Sequence, residues 1–399
     1  MKTSVAAIDF GTSKIVTLIA DHSGTQRCDI VGAGIAPYDG YLEDGWNNPG
    51  ELNEKILASI NDVEQISRRK VREINVGVPG MFTRVYATEV RIALKGTDPS
   101  VSSRDVREAF AQAEEKLDLK NAMGVVVHSS PAWFMVDNGK KTLEPVGLKG
   151  RELTALISFV VADKFFVDEV NARLTNLGFT VSGFYSTAAG ESMLFLPEDD
   201  RDRTAVLIDI GYIATDVMVV EGDALMFLKT IPFGGGDIAA DLAIGLDIPM
   251  NEAEDKIKRT YVYNIDSPGE TYELSGIDGR KPRSFTRKEV SEIIEARVDE
   301  IAEEIQKTLD NSGLQLGSWS SVYLTGGGLI LNKGGKEYLA GKLGRPVREV
   351  PKRTNNLSSH SYSSALGLID LIVTTLEQNS QQPASGGGVK NFFRSLLGV

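Results

Sequence analysis

The chain has 399 residues, 42% hydrophobic and 25% charged, a globular composition that excludes a wholly disordered, collagen-like or small disulfide-stapled protein. Its only cysteine, Cys28, rules out an intrachain bridge and favours a reducing compartment. A formal net charge of −12 argues against a general nucleic-acid binder, no stretch reaches the ~18 apolar residues of a membrane span, and 40 glycines exceed the usual ~7%.

Ser4 to Phe10 reads as a strand, without the basic flank and apolar run of a signal peptide. A tight turn at Gly11, a second strand, a turn at Ser23-Gly24 and a third strand ending near Ala36 complete a meander. Leu52, Ile56, Ile60, Val63 and Ile66 repeat at helical spacing, and Ile74 to Val78 reads as a strand closed by Pro79-Gly80. Between about Met81 and Val161 lie a strand (Val85 to Ala93), a helix opened by Ser102 with Asp105, and strands near Val125 to Val136 and Leu153 to Val161. Helices are predicted at Asp163 to Leu177 and Ser186 to Leu196, then a loop, PEDDRDR, from Pro197 to Arg203. Asn251 with Glu254 and Thr286 with Glu289 read as helix starts. A strand from Val322 to Thr325 runs into Gly326-Gly327-Gly328, and a last apolar helix spans about Tyr362 to Leu376.

Val5 to His22 (VAAIDFGTSKIVTLIADH) aligns without a gap with Ala205 to Gly222 (AVLIDIGYIATDVMVVEG), so that Ile8, Asp9 and Gly11 recur as Ile208, Asp209 and Gly211. Agreement of apolar pattern and turn positions predicts a duplicated α/β chain, with matching acidic hairpins facing one another across a cleft. The block from Met81 to Val161 has no counterpart in the second half and reads as an insertion. A phosphate held between two such turns needs backbone N–H groups that no side chain shields, which glycine permits. A carboxylate beside each turn, Asp9 and Asp209, suits Mg²⁺ held through water. One D-x-G alone is more often a plain strand-end turn. Two copies, joined by Gly234-Gly235-Gly236-Asp237 and by the glycines after Thr325, are far more specific.

On these motifs the chain resembles the actin, sugar kinase and heat-shock ATPase superfamily and, within it, the FtsA family of bacterial cell-division proteins. IDFGTSK is similar to the first phosphate motif, LIDIG to the second, LTGGG to the adenosine motif and YSSALGLI (Tyr362 to Ile369) to the second connecting helix. EPVGLKG (Glu144 to Gly150) within the insertion, PRSFTRKEVSEIIEAR (Pro282 to Arg297) and a linker with a terminal amphipathic helix resemble FtsA more specifically. The resemblance implies an α/β, actin-like duplicated fold of two domains around a nucleotide cleft, with an inserted α+β subdomain. The expected boundaries are subdomain 1A at 1–80 and 163–203, subdomain 1C at 81–162, and domain 2 at 204–376 with 2B at roughly 250–318. A linker at 377–388 and a membrane-targeting helix at 389–399 follow.

The resemblance further implies binding of ATP and Mg²⁺, self-polymerisation, attachment to an anionic membrane surface and capture of the tail of the tubulin-like FtsZ, with other division proteins as further partners. That places the chain in the cytoplasm, peripheral on the inner face of the cell membrane at the division septum. The expected nucleotide residues are Asp9, Gly11, Thr12, Ser13, Lys14, Asp209, Gly211, Gly235, Gly236, Lys256, Lys258, Gly326, Gly327 and Gly328, with Asp9 and Asp209 serving Mg²⁺. Arg283 and Arg297 match positions that hold the FtsZ tail, although ordinary surface arginines are an equal reading. Where the second phosphate motif usually continues with two glycines and threonine, this chain has Tyr212, Ile213 and Ala214. Their side chains either push into the phosphate position or turn outward. The place of the water-positioning Glu or Gln on the first connecting helix falls to Tyr185, so hydrolysis is expected to be slow or absent.

Val389, Phe392, Phe393, Leu396 and Leu397 fall on one helical stripe, flanked by Lys390 and Arg394. Residues 378 to 399 hold no acid, so they carry +2 against the whole chain's −12, leaving −14 for the rest. Such a helix suits the headgroup plane of an anionic membrane, a groove on a protein being the other reading. The alternatives are a pilus-assembly adaptor of the PilM kind, which needs no membrane helix, and a paralogue with a degenerate nucleotide site. A sugar or acid kinase of the same superfamily would need a carboxylate near Tyr185. The three histidines are scattered and form no metal cluster.

Overall fold

The computed structural model describes residues 3–22, 28–42, 45–119, 124–267, 269–275, 282–351, 357 and 359–380. The sequence-expected membrane residues Val389, Lys390, Phe392, Phe393, Arg394, Leu396 and Leu397 lie outside the described residues, as does the linker from 381 onward.

The meander is β1 (Thr3–Phe10), β2 (Lys14–His22) and β3 (Cys28–Pro37), followed by a short hairpin of β4 (Tyr41–Leu42) and β5 (Gly45–Trp46), helix α1 (Leu52–Ser67) and β6 (Glu73–Val78). Next come β7 (Thr83–Ala93), α2 (Ser103–Lys116), β8 (Gly124–Val136) and β9 (Glu152–Asp163). Then follow α3 (Lys164–Asn176), β10 (Thr180–Ser186) and α4 (Thr187–Phe195). The PEDDRDR segment is not a plain loop: Pro197 opens a helical turn, α5 (Glu198–Arg201), whose Arg201 is buried and paired with Asp223. The second meander is β11 (Ala205–Ile210), β12 (Thr215–Glu221) and β13 (Ala224–Ile231), followed by α6 (Gly235–Gly245) and a short turn, α7 (Met250–Glu252). The remaining elements are β14 (Thr271–Leu274), β15 (Arg283–Thr286), α8 (Arg287–Asp310), β16 (Val322–Thr325), α9 (Gly335–Leu343), β17 (Val347–Glu349) and α10 (Ser363–Ser380).

The chain divides into two compact units, residues 1–205 with 218–228 and 364–399, and residues 206–217 with 229–363. One five-stranded sheet has the order β10-β6-β1-β2-β3, and the other, from its opposite end, β17-β16-β11-β12-β13. In the first, β1 is antiparallel to β2 and parallel to β6; in the second, β11 is parallel to β16 and β16 to β17. The same order arises twice because each half repeats a meander followed by helix-linked parallel strands, which need a crossover. A separate three-stranded sheet, β7-β9-β8, is covered by α2, and Val106, Phe110, Phe134, Ile157 and Phe159 fill the core between them.

Local chemistry explains several element ends. Ser102 and Asp105 form a reciprocal capping box at α2, and Thr286 and Glu289 form one at α8. The expected start at Asn251 is displaced: Pro249 precedes α7, and Ala253–Ile257 continue as a π-helical turn. Pro249, extended at ψ 143°, is the residue before the helix, and the Glu252 and Ala253 N–H groups both donate to its carbonyl, so the helix starts before Asn251 can cap it. Within the first unit α4 and α10 touch backbone to backbone. A Cβ on Gly190 would lie 2.4 Å from the Gly367 carbonyl oxygen, and one on Gly367 would lie 2.3 Å from the Glu191 nitrogen.

Candidate functional site

In the first unit, β1 ends at Asp9 and Phe10, and the chain reverses through Gly11, Thr12 and Ser13 into Lys14. The Gly11 N–H donates to the Lys14 carbonyl at 3.0 Å, and a Cβ on Gly11 would stand 2.9 Å from that oxygen. Phe10 anchors the turn from below in an aromatic cluster, with ring centroids 5.2 Å from Trp46 and 6.1 Å from Phe166. Asp9 is buried and accepts a 2.5 Å hydrogen bond from the Ser364 hydroxyl at the start of α10. Burial pushes its carboxyl up to about 6, against the opposing effects of the Ser364 bond and the Lys14 charge.

In the second unit, β11 ends at Asp209, which pairs in register with Thr325 at the end of β16. The turn after it is packed at its closest limit. The Gly211 N–H donates to the Ala214 carbonyl at 2.9 Å, Gly235 to Gly211 at 2.9 Å, Gly236 to Tyr212 at 2.6 Å and Gly328 to Ile210 at 2.7 Å. Gly326 has φ +90°, and a Cβ there would fall 2.2 Å from an Asp209 carboxylate oxygen. These glycine N–H groups donate within the fold rather than standing free. At Gly11, Gly211, Gly235, Gly236 and Gly328 the N–H serves the fold, and the glycine's contribution is to let backbones meet. Donors for an anion have to come from the other turn residues.

Tyr212 and Ile213, half-buried, occupy the turn itself. The Tyr212 ring folds back over α6: a Cβ on Gly236 would meet its Cε1 at 2.8 Å. Burial, reinforced by the Glu254 carboxylate, pushes its phenol above the ordinary value. Lys258 is buried beside it, its ammonium 5.7 Å from the ring centroid and 2.9 Å from a Glu254 oxygen. Lys256 is more open and pairs with Glu252 at 2.9 Å. Gly327 lies against Ser361, whose Cβ is 3.0 Å from where a Gly327 Cβ would be.

The two arginines differ. Arg297 is clamped by Asp241, with Nε at 2.6 Å and Nη2 at 3.0 Å from its two oxygens, and its Nη1 lies 2.6 Å from Glu300. Arg283, 43% exposed, donates from Nη1 to the Asp247 carbonyl at 2.6 Å. Ile244, 81% exposed, and Met250, 40% exposed, stand three residues to either side of Asp247.

Tyr185 lies at the end of strand β10; the helix begins only at Thr187, capped by the Ser186 hydroxyl. Tyr185 therefore stands just before the connecting helix, as the expected helix start at Ser186 implies. Sequence reasoning also missed a polar chain beside the glycines, buried except at Glu349. The His360 Nε2 lies 2.8 Å from a Glu349 oxygen, and Thr325 Oγ1 meets both His360 Nδ1 and Ser363 Oγ. No spacing signal links these residues, since β17 and a 3₁₀ turn bring them together. Among the described residues, no cluster of three or more His, Cys, Asp or Glu is arranged to hold a metal, and no helix is long and apolar enough to cross a membrane.

The fold resembles solved structures at low identity. A PilM-PilN type IV pilus biogenesis complex matches with a TM-score of 0.60 at 19% identity, over 92% of this chain and 98% of that one. MreB5 of Spiroplasma citri bound to ADP matches with a TM-score of 0.57 at 10% identity, over 95% and 99%. Together with the repeated sheet order and the paired Asp-x-Gly turns, these define a protein of the actin-like class. Residues 206–367 match the family described as Cell division protein FtsA. Proteins named Cell division protein FtsA align along nearly the whole chain: from Neisseria meningitidis at 27% identity (96% of this chain, 93% of the relative), and from Pseudomonas aeruginosa at 25% (92% and 88%). Along nearly its whole length the chain is thus similar to the FtsA cell-division proteins.

Proposed function

We propose that this chain binds ATP with Mg²⁺, polymerises, attaches to the inner face of the cell membrane at the division septum and tethers FtsZ filaments there. The observation that carries the nucleotide part is the pair of Asp-x-Gly turns ending equivalent strands in two sheets of one order. The actin-like MreB5 of Spiroplasma citri bound to ADP and to AMPPNP supports that part. In this reading Thr12, Ser13 and Lys14 serve the phosphates, Gly326 to Gly328 lie against the adenosine and Lys256 and Lys258 serve the sugar. Asp9 and Asp209 supply hard oxygen donors of the kind Mg²⁺ takes through its water shell. The buried Asp9 suits that role, because a divalent cation offsets the cost of a carboxylate charge out of water. Bound Mg²⁺ would supply charge neutralisation for the phosphates. Tyr185 offers no carboxylate or amide to orient water, so the role is a scaffold's, with ATP turnover slow at most.

For the FtsZ tail, Arg283 is the better contact: a half-open guanidinium bonded to Asp247, which the exposed Ile244 and Met250 flank in sequence, suits a peptide with an acidic group and apolar side chains. Arg297, held by Asp241 and Glu300, instead positions that surface. The terminal stripe from Val389 to Leu397 serves the membrane, with Lys390 and Arg394 each adding about 1 kcal/mol near anionic lipid. So short a helix is weak alone, and a filament carrying many of them gains by avidity. The deciding experiment is a pull-down of the full chain on an immobilised FtsZ C-terminal peptide. Retention, weakened about tenfold or more by Arg283→Ala, is expected; no retention of the wild-type chain removes the tether from this reading.

A further inference from the structure

We infer that Tyr212 is a resident plug: its ring fills the ligand-facing concavity of the second unit's glycine turn and lowers nucleotide affinity until it swings away. This rests on the nucleotide reading above and adds to it what sets the affinity.

Three observations carry it, all within the second unit. The first concerns space. Glycine at position 236 leaves room above the first turn of α6, and the Tyr212 ring takes that room, its Cε1 and Cδ1 standing 2.8 and 3.0 Å from where a Cβ would be. The second is restraint. The ring lies under the Lys258 ammonium at 5.7 Å, while its own backbone carbonyl is held by the Gly236 N–H at 2.6 Å, so ring and main chain are pinned to the same turn of helix. The third is charge. The positive end of α6 is already answered by the Asp237 carboxylate, which accepts from the Gly234 N–H at 2.7 Å, and Lys258 is already paired with Glu254. A polyphosphate ligand must therefore displace an aromatic ring and compete with two internal carboxylates. Had the ring pointed to solvent, only the Tyr212 carbonyl oxygen of the three atoms nearest a Gly236 Cβ would remain there, and Lys258 would have lacked its aromatic face.

The ring-out state is the binding-competent one, and the observed affinity is the intrinsic affinity multiplied by its population. A plug that leaves one molecule in ten open costs a factor of about ten, roughly 1.4 kcal/mol. Removing the ring removes that cost, whereas removing only the phenol oxygen does not.

The test is titration of the full-length chain, with Mg²⁺ present, by ATP and by ADP in a calorimeter. The variants are Tyr212→Gly, Tyr212→Ala and Tyr212→Phe, each first checked for an unchanged melting temperature. The expected result is a dissociation constant about tenfold lower in Tyr212→Gly and Tyr212→Ala, with Tyr212→Phe at the wild-type value. Wild-type binding with no gain in a folded ring-less variant overturns the plug and leaves the nucleotide reading standing. Weaker binding in both ring-less variants also overturns it, making the ring a ligand contact. Absence of binding in every variant at millimolar nucleotide overturns the nucleotide reading and the plug with it. If Tyr212→Gly melts early, Tyr212→Ala alone decides.

Discussion

Replacing Gly367 by alanine separates two opposing effects in the middle of α10. Intrinsic propensity favours the change, since alanine is preferred over glycine inside a helix by up to about 1 kcal/mol. Packing opposes it. The added methyl would stand 2.3 Å from the Glu191 nitrogen and 2.6 Å from the Gly190 carbonyl carbon, where ordinary contact begins at 3.4 Å. Both obstacles are main chain in a neighbouring helix, so no rotamer change relieves them, and α4 and α10 must part by about 1 Å. The buried side chains around the contact, Ala365, Leu366, Leu368 and Ile369 on α10 and Ala188 and Ala189 on α4, would lose close packing together. Overpacking of this kind costs about 1–3 kcal/mol. Net of propensity, Gly367→Ala should destabilise by up to about 2 kcal/mol, a fall in melting temperature of up to roughly 8 °C for a unit of this size. Scanning calorimetry measures it, with Gly341→Ala in α9 as control, because a Cβ there meets nothing within 4 Å and propensity alone acts. A melting temperature for Gly367→Ala as high as that of Gly341→Ala would show that the helices are not in backbone contact and refute the argument.

Two further outcomes follow from the same reasoning. Burial raises the carboxyl of Asp216, bonded by the Thr230 hydroxyl, from near 3.8 to about 6. The fold therefore favours the protonated acid, a preference complete below pH 3.8 and lost as pH rises through about 6. Asp216→Asn should match wild type near pH ~4 and exceed it above pH ~7, by at most about 3 kcal/mol at 1.36 kcal/mol per pH unit, read from urea midpoints at both pH values. A constant difference across the range would count against burial as the cause. Deleting residues 389 to 399 should abolish co-sedimentation with vesicles of anionic lipid while the full chain pellets; equal pelleting of both would move the anchor elsewhere.

The duplication was legible because both copies keep an apolar strand, a glycine at the reversal and a second apolar strand, features that local sterics alone impose at Gly11 and Gly211. Capping boxes at Ser102 and Thr286 were legible for the same reason, since the partners are three residues apart. What escaped depends on distant contacts. The destination of each glycine N–H is decided by which backbone another element brings to it, and Ile210 and Gly328 are far apart in sequence. The Arg297 clamp needs Asp241 on another helix, and the Glu349–His360–Thr325 chain needs three segments. The start of α4 was legible within one residue because Ser186 is a good cap.

The hydrogen bond between Ser364 and Asp9 spans 355 positions, and it bears on how the chain is made. The first unit combines residues before 206 and the segment 218–228 with residues after 363, whereas the second is complete by residue 363. On a ribosome adding roughly 5–20 residues per second, β1 and the face of β6 that α10 covers at Gly77 would wait for tens of seconds with apolar surface uncovered. A part made early is thus the last to close, so nascent chains stalled before α10 should be the species that chaperones hold and proteases cut.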